Sequence, residues 1–132
     1  MALSAADIIE IQNLYSDYNF AIDFGDAEAW AACFTPDGSL HSGFGEPTTG
    51  TDALVEFGAG THAMLPGARH QVANLAIRGD GDEATGRCYL QMYNTAGGAA
   101  ETALVISGVY EDRLVRHEGA WRFAERVMSP DA

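Results

Sequence analysis

Basic side chains are scarce in this sequence. Seven Lys and Arg residues stand against 19 Asp and Glu residues, which gives a formal net charge of −12. Nucleic acids and anionic membrane surfaces both require clustered basic side chains to neutralise phosphate. Because no basic run is present, we expect neither nucleic acid nor a membrane as a partner. The acidity itself indicates a highly soluble protein.

Cysteines and long apolar runs are also few. Cys33 and Cys88 fit neither a disulfide framework nor a metal-ligand spacing, so we predict buried free thiols, as in a reducing cytoplasm. No apolar run is long enough to span a bilayer, and residues 1–7 lack the charged leader and apolar core of a signal peptide. The sequence therefore predicts a cytoplasmic location.

Common catalytic motifs are missing as well. No Gly-rich phosphate loop joins a strand to a helix, and no serine lies in a G-x-S-x-G elbow. We therefore expect no metal and no cofactor. The four histidines fit no zinc-binding spacing; they are His41, His62, His70 and His117.

The 132 residues, 47% of them hydrophobic, are typical of one globular domain that spans residues 1–132. Neither an internal repeat nor a linker divides the chain. Helical patterns come first and strand patterns follow, an order that indicates an α+β fold rather than alternating α/β units.

Three helices are predicted in the first half of the chain. The first covers residues 4–23, where Ser4 caps the helix, Asp7 completes an acidic capping box, and apolar residues recur at helical spacing. The second is capped by Asp26 and continues to residue 34. Thr51 caps the third.

Strands follow a turn that is predicted at residues 35–38. A short strand covers residues 39–42, and the longer ones alternate with Gly-rich turns, which indicates a curved antiparallel meander. The last two are expected to be neighbours, and apolar residues on both faces of the last three make the outer face of the sheet a candidate dimer surface. The longer strands cover residues 69–77, 84–94, 102–116 and 120–128.

Asp23 and His70 are the first candidate site residues. A carboxylate at the end of a helix opposes the macrodipole, so the position of Asp23 suggests either a function or simple solvation. Strand alternation puts His70 on a mixed polar and apolar face with Val72, Asn74 and Ala76, as in a pocket wall. The alternative is a core histidine bonded to backbone.

Arg126 and the tyrosines complete the set of candidates. Alternation in the last strand places Arg126 opposite Trp121 and Phe123, which by itself indicates a surface or interface arginine. Buried phenols need hydrogen-bond partners, which a pocket can supply. The one chemically sensible combination is a carboxylate, an imidazole, a phenol and a guanidinium around an apolar cavity. The phenols are Tyr15, Tyr18, Tyr89 and Tyr93.

Several segments together resemble one family. They are residues 11–17, residues 21–23, Trp30 with residues 34–38, residues 69–75, and residues 119–123 with Arg126 soon after. In this order they resemble the SnoaL-like branch of the nuclear-transport-factor-2-like superfamily, nearest to the dehydrochlorinase, scytalone dehydratase and bile-acid dehydratase group. The resemblance implies a cone-shaped, cystatin-like α+β roll in which three N-terminal helices and a curved antiparallel sheet enclose a pocket.

The resemblance also implies roles. His70 would remove a proton, Asp23 would pair with it, and Arg126 would help the leaving group. Tyr18 stands where the dehydrochlorinase has a lysine and looks more like the residue of the hydroxyl-eliminating enzyme. The second acidic residue of that enzyme has its nearest counterpart in Tyr93 or Asn94. The candidate substrate-binding residues are Tyr15, Trp30, Tyr93 and Asn94.

The predicted function is a cofactor-independent, dehydratase-like elimination on a small hydrophobic, cyclic hydroxylated substrate. One alternative is a ketosteroid-isomerase-like isomerase or polyketide cyclase that uses the same base. Another is a non-catalytic ligand-binding or assembly domain. A buried Asp23–His70 hydrogen bond beside a cavity would favour an enzyme. A homodimer or homotrimer is expected.

Overall fold

In the computed structural model, which describes residues 1–132, three helices pack against a curved six-stranded sheet. This arrangement confirms the predicted α+β class. The helices are α1 (Ala5–Asp23), α2 (Ala27–Ala31) and α3 (Thr51–Met64), and a 3₁₀ turn covers Ala99–Glu101. The strands are β1 (Phe34–His41), β2 (Thr48–Thr49), β3 (Ala68–Asp80), β4 (Glu83–Asn94), β5 (Ala103–His117) and β6 (Ala120–Pro130).

The strand order in the sheet is β2-β1-β6-β5-β4-β3. Strands β3 to β6 form the predicted antiparallel meander, with β5 and β6 as neighbours. Strand β1 pairs with β6 in parallel, so the sheet is not antiparallel throughout. The chain reaches the far edge of the sheet through α3 and returns along the meander, which brings β6 beside β1 in the same direction.

Helix α1 is tied to the sheet near both ends. The predicted capping box is present, because the Ser4 hydroxyl accepts from the Asp7 N–H and the Asp7 carboxylate accepts from the Ser4 N–H. The same carboxylate accepts from Arg116 and from the Trp121 indole N–H at 3.1 Å. These bonds, the Ser4 N–H first, hold the pKa of Asp7 well below its usual range. At the other end, Asp23 bonds to β3.

Some predicted boundaries were wrong. Residues 35–38 form part of β1 rather than a turn, with a register shift between Phe34 and Ser39. Pairing with β6 therefore overrides the local turn preference, and α2 ends at Ala31 instead of residue 34. The residue that caps α3 is Gly50, which has no side chain to bond the first turn, so Thr51 is inside the helix.

A β-bulge in β6 changes which of its side chains point to the core. Glu125 pairs with Arg113 and Phe123 pairs with Leu114, which leaves Ala124 without a partner. Phe123 therefore faces the core, and after the extra residue so does Arg126, which has no exposed surface. The prediction of a surface or interface arginine was wrong for this reason.

A second irregularity changes β3. Its register with β4 shifts between Ala73 and Ala76, and Asn74 has a φ of 59°. Val72 packs against the core before the shift, and Leu75 and Ile77 pack against it after the shift, so the alternation of inward residues changes by one position. His70 keeps its predicted inward face, whereas Asn74 and Ala76 do not.

The core lies between the helices and the inner face of the sheet. Cys33 and Cys88 are both buried free thiols, as predicted. None of the helices combines the length and apolarity needed to cross a bilayer. The fully buried large side chains are Trp30, Arg126, Tyr15, Phe34, Phe123, Ile11, Leu54 and Leu114.

Candidate functional site

A cavity of about 390 Å³ lies between the helices and the inner face of the sheet. Most of its wall is apolar, with Phe44 and Met64 among its exposed lining residues. Its apolar lining includes Ile22, Leu40, Phe57, Leu65, Leu90, Met92, Ile106 and Met128. The side chains that bring polar atoms to it are Tyr18, Trp30, Ser42, Thr61, His70 and Tyr110.

Asp23 and His70 meet at the edge of this cavity. The Asp23 Oδ1 atom lies 2.5 Å from His70 Nδ1, and Asp23 Oδ2 accepts the His70 backbone N–H at 2.9 Å. Only 6% of the Asp23 side chain and 10% of the His70 side chain are exposed. Two N–H donors thus meet a carboxylate at the helix C-terminus, the position that the macrodipole disfavours.

The contact selects one form of the imidazole. A carboxylate only accepts hydrogen bonds, so the proton of neutral His70 lies on Nδ1 and the lone pair lies on Nε2. Because His70 lines the cavity, Nε2 is the ring nitrogen open to a ligand. The hydrogen bond expected from the sequence is therefore present, while the catalytic role of the pair stays a prediction.

Tyr18 and Trp30 both line the cavity, as expected for site residues. Their ring centroids are 5.5 Å apart, and Tyr18 also packs against Phe34 at 5.9 Å. Burial raises the pKa of Tyr18, so its phenol is a neutral hydrogen-bond donor.

Arg126 lies behind the cavity wall and does not line it. Its Nε donates to Asp112 Oδ1 at 2.9 Å and its Nη2 donates to Asp112 Oδ2 at 3.2 Å. Burial alone would lower the pKa of Arg126, but the Asp112 carboxylate and the nearby phenols hold it well above its usual value. The predicted direct contact of Arg126 with a leaving group is therefore corrected: two guanidinium nitrogens bind Asp112, and the third, Nη1, is buried without a partner and does not reach the cavity. Its carbon lies 3.6 to 5.0 Å from the ring centroids of Tyr110, Tyr18, Phe123 and Tyr15.

Tyr15 belongs to this buried cluster and not to the cavity. Its hydroxyl donates to Asp112 Oδ2 at 2.5 Å, and burial, followed by the Asp112 charge, raises its pKa far above the usual value. Gly86 leaves room for the phenol, because a Cβ there would collide with it. Tyr15 is thus a structural partner of Asp112 rather than a substrate-binding residue.

Tyr93 and Asn94 also lie outside the cavity lining. Leu90 and Met92 of β4 line the cavity, so strand alternation puts Tyr93 on the opposite face. The Asn94 Oδ1 atom accepts the Ala96 N–H in the turn after β4. The structure therefore supports neither residue as a substrate contact.

Two important residues were missed from the sequence. Tyr110 lines the cavity, and Asp112 holds Arg126. Both lie on the inner face of β5. Asp112 pairs with Arg126 of β6, and Tyr110 lies two residues before Asp112. Period-2 alternation through Tyr110, Asp112 and Leu114 was the signal that could have found them. No three His, Cys, Asp or Glu side chains are grouped to hold a metal ion.

The comparisons identify the family. The sequence model of the SnoaL-like domain matches residues 4–127, so the chain belongs to the SnoaL-like family. This family includes polyketide cyclases and dehydratases. It is also similar to the uncharacterized protein Rv2910c of Mycobacterium tuberculosis. The two are 30% identical over 131 residues, which cover 95% of this chain and 88% of the relative.

Solved structures show the same fold. Rv3472 of Mycobacterium tuberculosis, a protein of unknown function, is 36% identical with a TM-score of 0.87, covering 96% of this chain and 72% of its own. A Nostoc punctiforme protein with a cystatin-like fold is 28% identical with a TM-score of 0.88, covering 99% and 96%. A Catenulispora acidiphila protein in complex with S-DNPA is 28% identical with a TM-score of 0.84, covering 97% and 96%. The predicted resemblance is thus confirmed at the level of family and fold.

Proposed function

We propose that the protein is a cytoplasmic, cofactor-independent lyase that removes water from a small hydrophobic, cyclic hydroxylated molecule. The observation that carries this proposal is the Asp23–His70 hydrogen bond at the edge of an apolar cavity. A cavity of about 390 Å³ is within the range of small-molecule sites, about 300–1,000 Å³. The bound S-DNPA of the Catenulispora acidiphila protein supports a small molecule as the ligand.

The proposed reaction begins with proton removal. His70 Nε2 takes a proton from a carbon next to a carbonyl, and the electron pair moves toward the carbonyl oxygen. Asp23 stabilises the imidazolium that forms, and the Tyr18 phenol donates to the developing oxyanion. The electron pair then forms the carbon–carbon double bond as the hydroxyl group leaves. The imidazolium returns its proton to that group, so water departs and neutral His70 is restored.

An isomerase or cyclase is the second candidate, because the same base could return its proton to a different carbon of the ligand. The experiment that separates these reactions uses deuterium oxide and two panels of cyclic ketones, β-hydroxylated and β,γ-unsaturated. Elimination is expected to give loss of water by mass spectrometry, whereas isomerisation gives a conjugated product of unchanged composition. Binding without deuterium incorporation or product in either panel would reject both enzyme proposals in favour of a binding protein.

Replacing Asp23 by asparagine is expected to slow turnover about 10²-fold without unfolding the protein. The Asn carbonyl can still accept the His70 backbone N–H, but its NH₂ then faces Nδ1. That donor favours the imidazole tautomer with its proton on Nε2, and a protonated Nε2 cannot take a proton from the ligand. Steady-state kinetics on a turned-over ketone and thermal unfolding check this expectation. The matched control is Asp26→Asn, since Asp26 caps α2 away from the cavity; an Asp23→Asn rate equal to that of the control would contradict the dyad.

We also propose that the outer face of the sheet joins copies of the chain into a homodimer or homotrimer. Tyr89 of β4 and Leu104 of β5 are about half exposed there, and the unpaired Val105 beside Leu104 is exposed to a similar extent. Burying such side chains removes apolar surface from water, which favours association. Light scattering at micromolar concentration is expected to show an oligomer and, for Leu104→Glu, a smaller species. A monomer for the unaltered protein would refute this proposal.

A further inference from the structure

One region of the cavity wall carries two phenols side by side. Tyr18 from α1 and Tyr110 from β5 both line the cavity, and they are only 3% and 4% exposed. The two phenols are close enough for each to influence the pKa of the other. An otherwise apolar cavity therefore carries two neighbouring hydroxyl groups that can donate to a ligand.

Both phenols are donors at any physiological pH. Burial is the main cause that raises the pKa of Tyr18 and of Tyr110, so neither ionises near neutrality. Neither hydroxyl donates to a carboxylate, in contrast to Tyr15, whose proton is directed to Asp112. An apolar ligand would leave these O–H groups desolvated, whereas a ligand oxygen would satisfy them.

The buried cluster behind the wall fixes the two rings. The Arg126 guanidinium carbon lies 3.6 Å from the centroid of the Tyr110 ring and 4.4 Å from that of Tyr18. Asp112 binds the guanidinium through two nitrogens, and Tyr15 binds Asp112 in turn. A cation on the face of a phenol ring withdraws electron density and strengthens its O–H as a donor. Arg126 thus acts on both phenols without touching the cavity.

We infer that Tyr110 is a second oxygen-binding residue, which together with Tyr18 holds a carbonyl oxygen of the ligand in the cavity that His70 lines. A carbonyl oxygen has two lone pairs and can accept from both phenols at once. The inference rests on the proposed function, in which that oxygen develops negative charge when His70 removes the proton. It adds a requirement on the ligand class: the ligand is a ketone or its equivalent, not a hydrocarbon.

The test compares two probes of the same bicyclic skeleton, 1-tetralone and tetralin, which differ only by the carbonyl oxygen. For each variant, the ratio of the two dissociation constants isolates the oxygen contact from packing. Tyr110→Phe is expected to lower the tetralone preference about two- to twelvefold, the range of one neutral hydrogen bond. The carbonyl stretching band of bound tetralone is expected to move to higher wavenumber in the same variant.

The controls define the outcome. Tyr89→Phe changes a half-exposed phenol outside the cavity lining and is expected to leave both the ratio and the band unchanged. The Tyr18→Phe and Tyr110→Phe double variant is expected to be non-additive, because both donors share one oxygen. Equal loss of affinity for both probes in Tyr110→Phe would overturn the inference, and so would an unchanged band or no binding of tetralone.

This binding test is independent of turnover. His70→Ala is expected to keep the carbonyl band of bound tetralone close to that of the unaltered protein, since Tyr18 and Tyr110 remain. If Tyr110→Phe shifts the band but no ligand is ever deprotonated, the oxygen-binding role of Tyr18 and Tyr110 stands and the lyase proposal is rejected. If the protein turns over a ketone but Tyr110→Phe changes neither the band nor the ratio, the lyase proposal stands and the oxygen-binding role of Tyr110 is rejected.

Discussion

Replacing Arg126 by methionine is expected to lower the free energy of unfolding by about 3–5 kcal/mol, much of the stability of an ordinary domain. Asp112 and Arg126 have no exposed side-chain surface, and their only charged partners are each other. Removing the guanidinium leaves the Asp112 carboxylate buried with only the Tyr15 hydroxyl to stabilise it. The unpaired charge, rather than the loss of a contact, accounts for the size of the effect.

Urea unfolding followed by circular dichroism measures this change. The control is Arg87→Met, because the Arg87–Glu111 pair spans β4 and β5 at 3.8 Å with both side chains about two-thirds exposed. That pair is expected to contribute less than about 1 kcal/mol. Adding Asp112→Leu to Arg126→Met is expected to recover stability, since no buried charge then remains. A loss for Arg126→Met no larger than for Arg87→Met would contradict the buried ion pair.

Local signals in the sequence predicted α1 well. Ser4 and Asp7 satisfy the first turn through their own side chains, and this capping box does not require the additional bonds that Asp7 receives from the sheet. The Asp23–His70 contact depends on residues 47 positions apart, and only the family resemblance brought them together. Chemistry alone suggested either a function or simple solvation for the carboxylate at the end of α1, and it did not indicate His70 as its partner.

Irregular pairing limited the rest of the prediction. One extra residue at Ala124 turned Arg126 from the outer face to the core, and the shift near Asn74 had a similar effect on β3. Such bulges depend on contacts between strands, which period-2 alternation within one strand does not contain. The same limit hid the pairing of Asp112 with Arg126, because the two lie on different strands.

Replacing His70 by alanine is expected to reduce turnover about 10²–10⁴-fold, the usual contribution of a general base. The change removes the only imidazole that lines the cavity, while apolar burial continues to supply ligand affinity. We therefore expect kcat to fall far more than KM rises. Circular dichroism should show the same folded content, because the backbone N–H of residue 70 can still donate to Asp23 and hold the end of α1 on β3.

Added imidazole gives the sharper version of this experiment. The truncated side chain leaves room beside Asp23, where free imidazole can bind, donate to the carboxylate and act as the base through its other nitrogen. Rescue is expected to increase with the fraction of neutral imidazole, and hence with pH, because only the neutral ring accepts a proton. The control is His117→Ala, since His117 lies at the β5–β6 hairpin away from the cavity lining, and it is expected to keep full turnover and gain nothing from imidazole. Full activity of His70→Ala without added imidazole would reject proton removal by His70, whatever ligand occupies the cavity.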